Sequence, residues 1–381
     1  MSVESDGSHC LVSLSSRPLV LFFSCPLVFL FSCPLVLLSS CSLVLLFSCP
    51  LVLLSSCFLV LLSSCHLVPY QNITIMIIPP FLKPGDKFAI VSPSGTVLSE
   101  RVDGAVRAIE KWGFVPVVSE HCKEEYHAYN VITHSASPEN RLADLQWALH
   151  DPQVRAILCS RGGYGAVHLL EHLNLEALAR DPKWLIGFSD ISALHAAWHR
   201  AGVVSIHSPM AKHLTLYDSD NETNRINYNI LTGKSLPTYH EPAHHYNRPG
   251  TATATITGGN LAVLMGLLAT PFNLIKAGNI LFIEDVAEQV YQVQRLLYHL
   301  RLAGILPRLA GLIVGQFTKH RGDDTTAMLD MIHDMVAPYH YPVAFNFPIG
   351  HVERNVPIVE GATATLAVSD TGVKLHYEEL K

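Results

Sequence analysis

The chain has 381 residues, 49% of them hydrophobic and only 15% charged, with a formal net charge of −6. Soluble proteins usually carry about a quarter charged residues. The mild acidity speaks against a nucleic-acid binder, which would show a basic stripe.

The charge deficit is local. Pro18 to Leu82 contain no Asp, Glu, Lys or Arg, and seven of the nine Cys lie within the first 65 residues. From Met76 onward the chain holds 25 of the 26 basic and 30 of the 32 acidic residues. This part is large enough for a substantial core and for two domains. It keeps only Cys122 and Cys159, so no disulfide framework is implied. It also has no apolar run long enough to cross a bilayer.

Residues 1–75 form a repeat. Cys25, Cys33, Cys41, Cys49, Cys57 and Cys65 recur every eight residues in units close to CPLVLLSS. Three readings compete: a membrane segment over 18–75, a leader with a lipidation-like LeuSerSerCys, or translated repetitive DNA ahead of the true start. The acidic first residues and the repetition oppose a leader. Met76 opens a stretch that reads as a natural N-terminus, which favours the third reading. Only the repeat would connect the chain to a membrane; without it the expected location is cytoplasmic.

Elements of the remainder alternate. Phe88–Ser92 (FAIVS) reads as a buried parallel strand running into Pro93-Ser94-Gly95. Glu100–Trp112 has helical spacing and stops at Gly113. Phe114–Val118 is a strand. Ser137-Pro138 opens a helix lined by Leu142, Leu145 and Leu149. Val154–Cys159 is a strand leading into Arg161-Gly162-Gly163-Tyr164-Gly165. Ala166–Leu173 reads as helix, Trp184–Phe188 as strand, Asp190–Ala201 as helix and Val203–His207 as strand. The alternation predicts an open parallel α/β sheet. The polar stretch 238–250 reads as a linker between a domain at 76–237 and a smaller mixed one at 251–381. In the latter, strands are expected at Thr251–Thr257, Asn279–Ile283 and Leu309–Phe317. Helices are expected at Leu261–Leu268, Val290–Leu302 and Thr325–Val336. A final hairpin spans 362–377.

Ligands of open parallel sheets sit at the carboxyl ends of strands. Three such ends are chemically unusual. Arg161 to Gly165 could bring backbone N–H groups to an anion, or could simply be a tight turn. Gly187-Phe188-Ser189-Asp190 resembles a nucleophile elbow, though Ile191 replaces the last Gly of GxSxG; Ser189 could equally cap the helix. Glu284 ends the strand NILFI, and His351 follows ProIleGly near the C-terminus. A serine needs a histidine to take its proton and a carboxylate to orient that histidine. Asp285 and Glu288 compete with Glu284, and His351 is one of 21 His. His195 and His199 have zinc-compatible spacing but no evident third ligand, and helix packing is the simpler reading.

The order ArgGlyGlyTyrGly, GlyPheSerAsp, GlyGlyAsn, PheIleGluAsp, ProIleGlyHis, with YQVQRLLYHLRLAGILP at 291–307, resembles the LD-carboxypeptidase family of serine peptidases. The resemblance spans about 80–381; the repeat has no counterpart in it. It implies a flavodoxin-like parallel-sheet N-terminal domain and a smaller β-rich mixed C-terminal domain. Ser189 would be the nucleophile, His351 the general base and Glu284 its orienting carboxylate. Backbone N–H groups of Asp190 and of Gly162 or Gly163 would form the oxyanion hole, with Arg161 and the glycine turn receiving the substrate carboxylate. The substrate implied is murein tetrapeptide, cut before its terminal D-Ala during peptidoglycan recycling. The resemblance implies no metal or cofactor and a cytoplasmic homodimer. Alternatives are a microcin-immunity-type peptidase acting on aminoacyl-nucleotide amides and a non-catalytic peptide-binding module.

Overall fold

The computed structural model describes residues 76–129, 132–216, 221–319 and 325–379, together with five short strands between 21 and 55. The compact unit that carries the strand ends of interest runs from Thr74 to Lys381.

Its first sheet is built from β1 (Lys87–Val91), β2 (Val115–Val118), β3 (Val154–Cys159), β4 (Trp184–Gly187) and β5 (Ser205–His207). All five are parallel, in the order β2-β1-β3-β4-β5. That is the flavodoxin-like doubly wound order, with its topological switch point between β1 and β3. β3 and β4 are almost wholly buried, which explains their apolar composition. Three helices of this region matter below: α1 (Ser99–Lys111), α2 (Pro138–His150) and α3 (Ser192–Arg200). The Ser137 hydroxyl accepts from Asn140 N and caps α2, with Pro138 at its first position.

The second sheet has seven strands: β6 (Thr238–Pro242), β7 (Gly250–Asn260), β8 (Ile280–Val286), β9 (Gly311–Thr318), β10 (Val343–Ala344), β12 (Thr363–Ser369) and β13 (Gly372–Tyr377). The order is β6-β13-β12-β7-β8-β9-β10. β7 to β10 are parallel, whereas β6, β13, β12 and β7 pair antiparallel. The remaining strand, β11 (Ile358–Glu360), joins the first sheet antiparallel to β5.

One feature differs from the sequence reading. Thr238–Pro242 is an edge strand and not the start of a linker; its polar residues lie on a half-solvated edge, where alternation is weak. Residues 166–172 are helical as expected, in 3₁₀ form. Within 21–55, the repeat forms short parallel strands. Leu21 pairs with Leu37 and Leu37 with Leu53, two repeat units apart. Among the described residues no helix is long and apolar enough to cross a membrane.

Candidate active site

β4 ends in Gly187, and a sharp turn follows. Phe188 is extended and Ser189 has φ +66°. A non-glycine residue in the left-handed region is strained by roughly 1 kcal/mol or more and needs surrounding structure to hold it. Gly187 makes the turn possible, because a Cβ there would lie 2.8 Å from the Ile191 side chain. Ser189 does not cap α3, which begins after Ile191 with no side-chain cap.

The Ser189 hydroxyl stands 2.9 Å from His351 Nε2. His351 Nδ1 stands 2.8 Å from Glu284 Oε2. Glu284 lies in the buried part of β8 and is fully enclosed, while His351 is partly open. The carboxylate accepts Nδ1–H, so Nε2 is left to accept the serine proton. Gly350, at φ +125°, lets the histidine loop approach this closely: a Cβ there would lie 3.0 Å from the Glu284 carboxylate. The Phe188 ring packs on the His351 ring at 4.9 Å. Asp285 points to the other face of β8, as alternation requires. It accepts from Asn260 Nδ2 and Ala262 N instead.

The glycine turn after β3 lies against the serine. A Cβ on Gly162 would be 2.9 Å from Ser189 Cβ, 3.1 Å from its hydroxyl and 3.3 Å from Asp190 N. Gly163 faces the loop after β1: a Cβ on it would lie 3.1 Å from Gly95 Cα. Arg161 is exposed and donates to Thr96 O at 2.6 Å. Ser189, His351, Gly162, Gly163 and Arg161 together line a cleft of about 770 Å³.

Known proteins resemble this chain in sequence and fold. Residues 88–208 match the LD-carboxypeptidase N-terminal domain, and residues 253–366 match the LD-carboxypeptidase C-terminal domain. The chain belongs to the LD-carboxypeptidase family. A Streptomyces coelicolor protein named as a candidate carboxypeptidase is 32% identical over 300 residues, covering 78% of this chain and 95% of that one. The murein tetrapeptide carboxypeptidase of Pseudomonas aeruginosa is 30% identical over 293 residues, covering 74% and 92%. A crystal structure of an MccF-like protein from Bacillus anthracis superposes with a TM-score of 0.71 at 25% identity, covering 80% and 100%.

In this family member the turns around the serine are held by groups that sequence reading missed. The Asp190 carboxylate turns away from the cleft. Its Oδ2 accepts from Ser94 Oγ at 2.5 Å and from Ala166 N at 2.8 Å, tying the elbow to the loops after β1 and β3. Arg141 of α2 is buried and donates to Pro93 O at 2.7 Å and Gly165 O at 2.8 Å. Gly95 N donates to Gly162 O at 3.0 Å and locks the two loops together. The loop 93–95 follows β1 at the switch point, so strand-end logic alone could have marked it.

His195 is fully buried and serves the elbow. Its Nε2 meets Gly187 O at 2.9 Å and its Nδ1 meets Ser205 Oγ at 2.8 Å. Burial lowers its pKa to about 4, so the ring is neutral. His199 is likewise lowered to about 4 by burial. Among the described residues no three His, Cys, Asp or Glu side chains are grouped to hold a metal ion.

Proposed function

We propose that this chain is a serine carboxypeptidase that hydrolyses the amide between an L-centre, a diamino acid, and the terminal D-Ala of murein tetrapeptide. The observation that carries the reading is the unbroken hydrogen-bonded line from Glu284 through His351 to Ser189 at the floor of the cleft. The Pseudomonas aeruginosa relative supports the substrate.

Ser189 Oγ attacks the scissile carbonyl carbon while His351 Nε2 takes its proton. The oxyanion that forms is met by N–H of Asp190 and of the Gly162–Gly163 turn. Such donors contribute most where the site is dry and prearranged. His351 then gives its proton to the amide nitrogen, and D-Ala leaves. Water attacks the Ser189 ester, His351 takes the water proton, and the tripeptide departs as the proton returns to Ser189. Arg161 at the cleft rim is assigned to the carboxylate of the leaving D-Ala. The family resemblance adds a cytoplasmic homodimer working in peptidoglycan recycling; sedimentation of the purified chain tests the dimer.

The test is incubation with murein tetrapeptide and mass spectrometry for loss of D-Ala. Ser189→Ala should lower the rate by about 10³–10⁶. Release by Ser189→Ala near the unmutated rate would overturn the assignment. A second reading, cleavage of an aminoacyl-nucleotide amide, draws on the MccF-like neighbour. It needs an aromatic face for the base. Among the described residues that line the cleft, Phe188 is the only Phe, Tyr or Trp, and its ring is engaged by His351, which favours the peptide.

A further inference from the structure

The chain is acidic overall, at −6, but its cleft is the reverse. Among the described residues, four cations, Arg101, Arg161, Lys212 and Lys319, line it against one acid, Glu353. They come from four separate elements: the first turn of α1, the glycine turn, the helix Ala211–Leu216 and the end of β9. Among the described residues none of the four pairs with a carboxylate. Lys319 also has a φ of +58°, a strained geometry that a lysine adopts only where its surroundings impose it. Like charges gathered around a concave, partly desolvated surface repel each other, and they attract anions into it.

One carboxylate, that of the leaving residue, is common to every carboxypeptidase substrate, and Arg161 is assigned to it above. Arg101, Lys212 and Lys319 exceed that need. We infer that these three read further carboxylates on the acyl side of the peptide, so that the cleft selects a polyanionic peptide over its amidated form. The inference rests on the peptide reading above and adds its charge specificity. Charge-assisted hydrogen bonds are the strong kind, and an amide in place of a carboxylate both loses attraction and leaves a cation unmatched.

The experiment separates this from the proposed reaction. Binding of two probes to Ser189→Ala is measured by calorimetry: murein tetrapeptide with its non-terminal carboxylates free, and the same peptide with them amidated. D-Ala release from both is followed with the unmutated protein. Amidation is expected to weaken binding about tenfold or more, and the gap should narrow as salt rises from about 0.05 to 0.5 M. In Arg101→Gln/Lys212→Gln/Lys319→Gln the ratio should fall to near 1. Equal binding of the two probes, tighter binding of the amidated one, or binding of neither overturns the charge specificity whatever the catalysis. A wild-type gap that persists in the triple variant overturns the residue assignment. Tight, charge-selective binding with no D-Ala release overturns the reaction alone. The three side chains lie at the cleft surface, and the wild-type ratio stands even if the triple variant folds poorly.

Discussion

Two fully buried glutamates each face a histidine beside the same elbow. Glu284 lies 2.8 Å from His351 Nδ1, whose other nitrogen meets Ser189 Oγ. Glu360 lies 3.9 Å from His195 Nδ1, whose other nitrogen meets the carbonyl of Gly187, two residues before the serine. Residue types are the same and both glutamates are enclosed, but His351 is partly open and His195 is not, and the outcomes differ because of who holds the imidazole. Glu284 accepts a hydrogen bond from Nδ1–H and leaves Nε2 as an acceptor aimed at a hydroxyl. At His195 the Nδ1 position is taken by Ser205 Oγ, and Nε2 must donate to a carbonyl. One pair can shuttle a proton toward the cleft. The other fixes the backbone that holds the nucleophile.

The sharpest break in this comparison is Glu284→Gln. The amide keeps the volume, but its NH2 can donate to Nδ1 where the carboxylate only accepts, so His351 is left in the wrong tautomer. Turnover should fall by about 10⁴, with thermal stability little changed. Steady-state release of D-Ala and a melting curve check both parts. A loss below tenfold would remove Glu284 from the site.

Next comes the backbone around the serine. Gly162→Ala places a Cβ 2.9 Å from Ser189 Cβ, so either the turn or the serine must shift. A fall of about 10²–10³ in kcat is expected, the scale of one lost oxyanion donor. Gly266→Ala is the control, because a Cβ there meets nothing within 4 Å, and its activity should stay intact. If both variants retain full activity, the glycine turn is not part of the catalytic surface.

Much of this was legible in the sequence. The parallel sheet showed in its apolar runs, and the strand-end motifs singled out Ser189, Glu284 and His351, which the fold brings into one line. What escaped were contacts between residues far apart in the chain. Glu360 lies 165 positions from His195 and joins the first sheet through β11, a three-residue strand too short to announce itself. Arg141 reads as an ordinary helix-surface cation; only the folded chain buries it under Pro93 and Gly165. Thr238–Pro242 carries two prolines' worth of loop signals nearby, and a strand partner at 372–377 overrides them. Local pattern reports which face is apolar, and it is silent on which distant group will arrive there.

The smallest effect tests the inner pair. Burial raises the Glu360 pKa well above the usual carboxylate range, while Gly258 N, at 3.3 Å, opposes this only weakly. With His195 lowered to about 4, its ring is neutral near pH 7, and burial favours the protonated form of Glu360 beside it. A carboxyl whose folded pKa is raised binds a proton that the unfolded chain has lost above about 4.5. Its contribution to stability is therefore complete below that pH and is lost as the pH rises toward the folded pKa. Glu360→Gln removes this titration and keeps an oxygen for Gly258 N. The variant should melt higher than the parent at pH 7.5, by roughly 2–4 °C or more, the scale of 1 kcal/mol in a domain this large. The gap should close near pH 4. His195 contributes with the opposite sign in both proteins, losing stability as pH falls from about 6.5 toward 4, so it cancels in the difference. Activity should change far less than in Glu284→Gln. A gap that stays constant from pH 4 to 7.5 would mean that Glu360 is not held neutral. A gap that follows pH while turnover collapses would mean that the inner pair, too, reaches the serine.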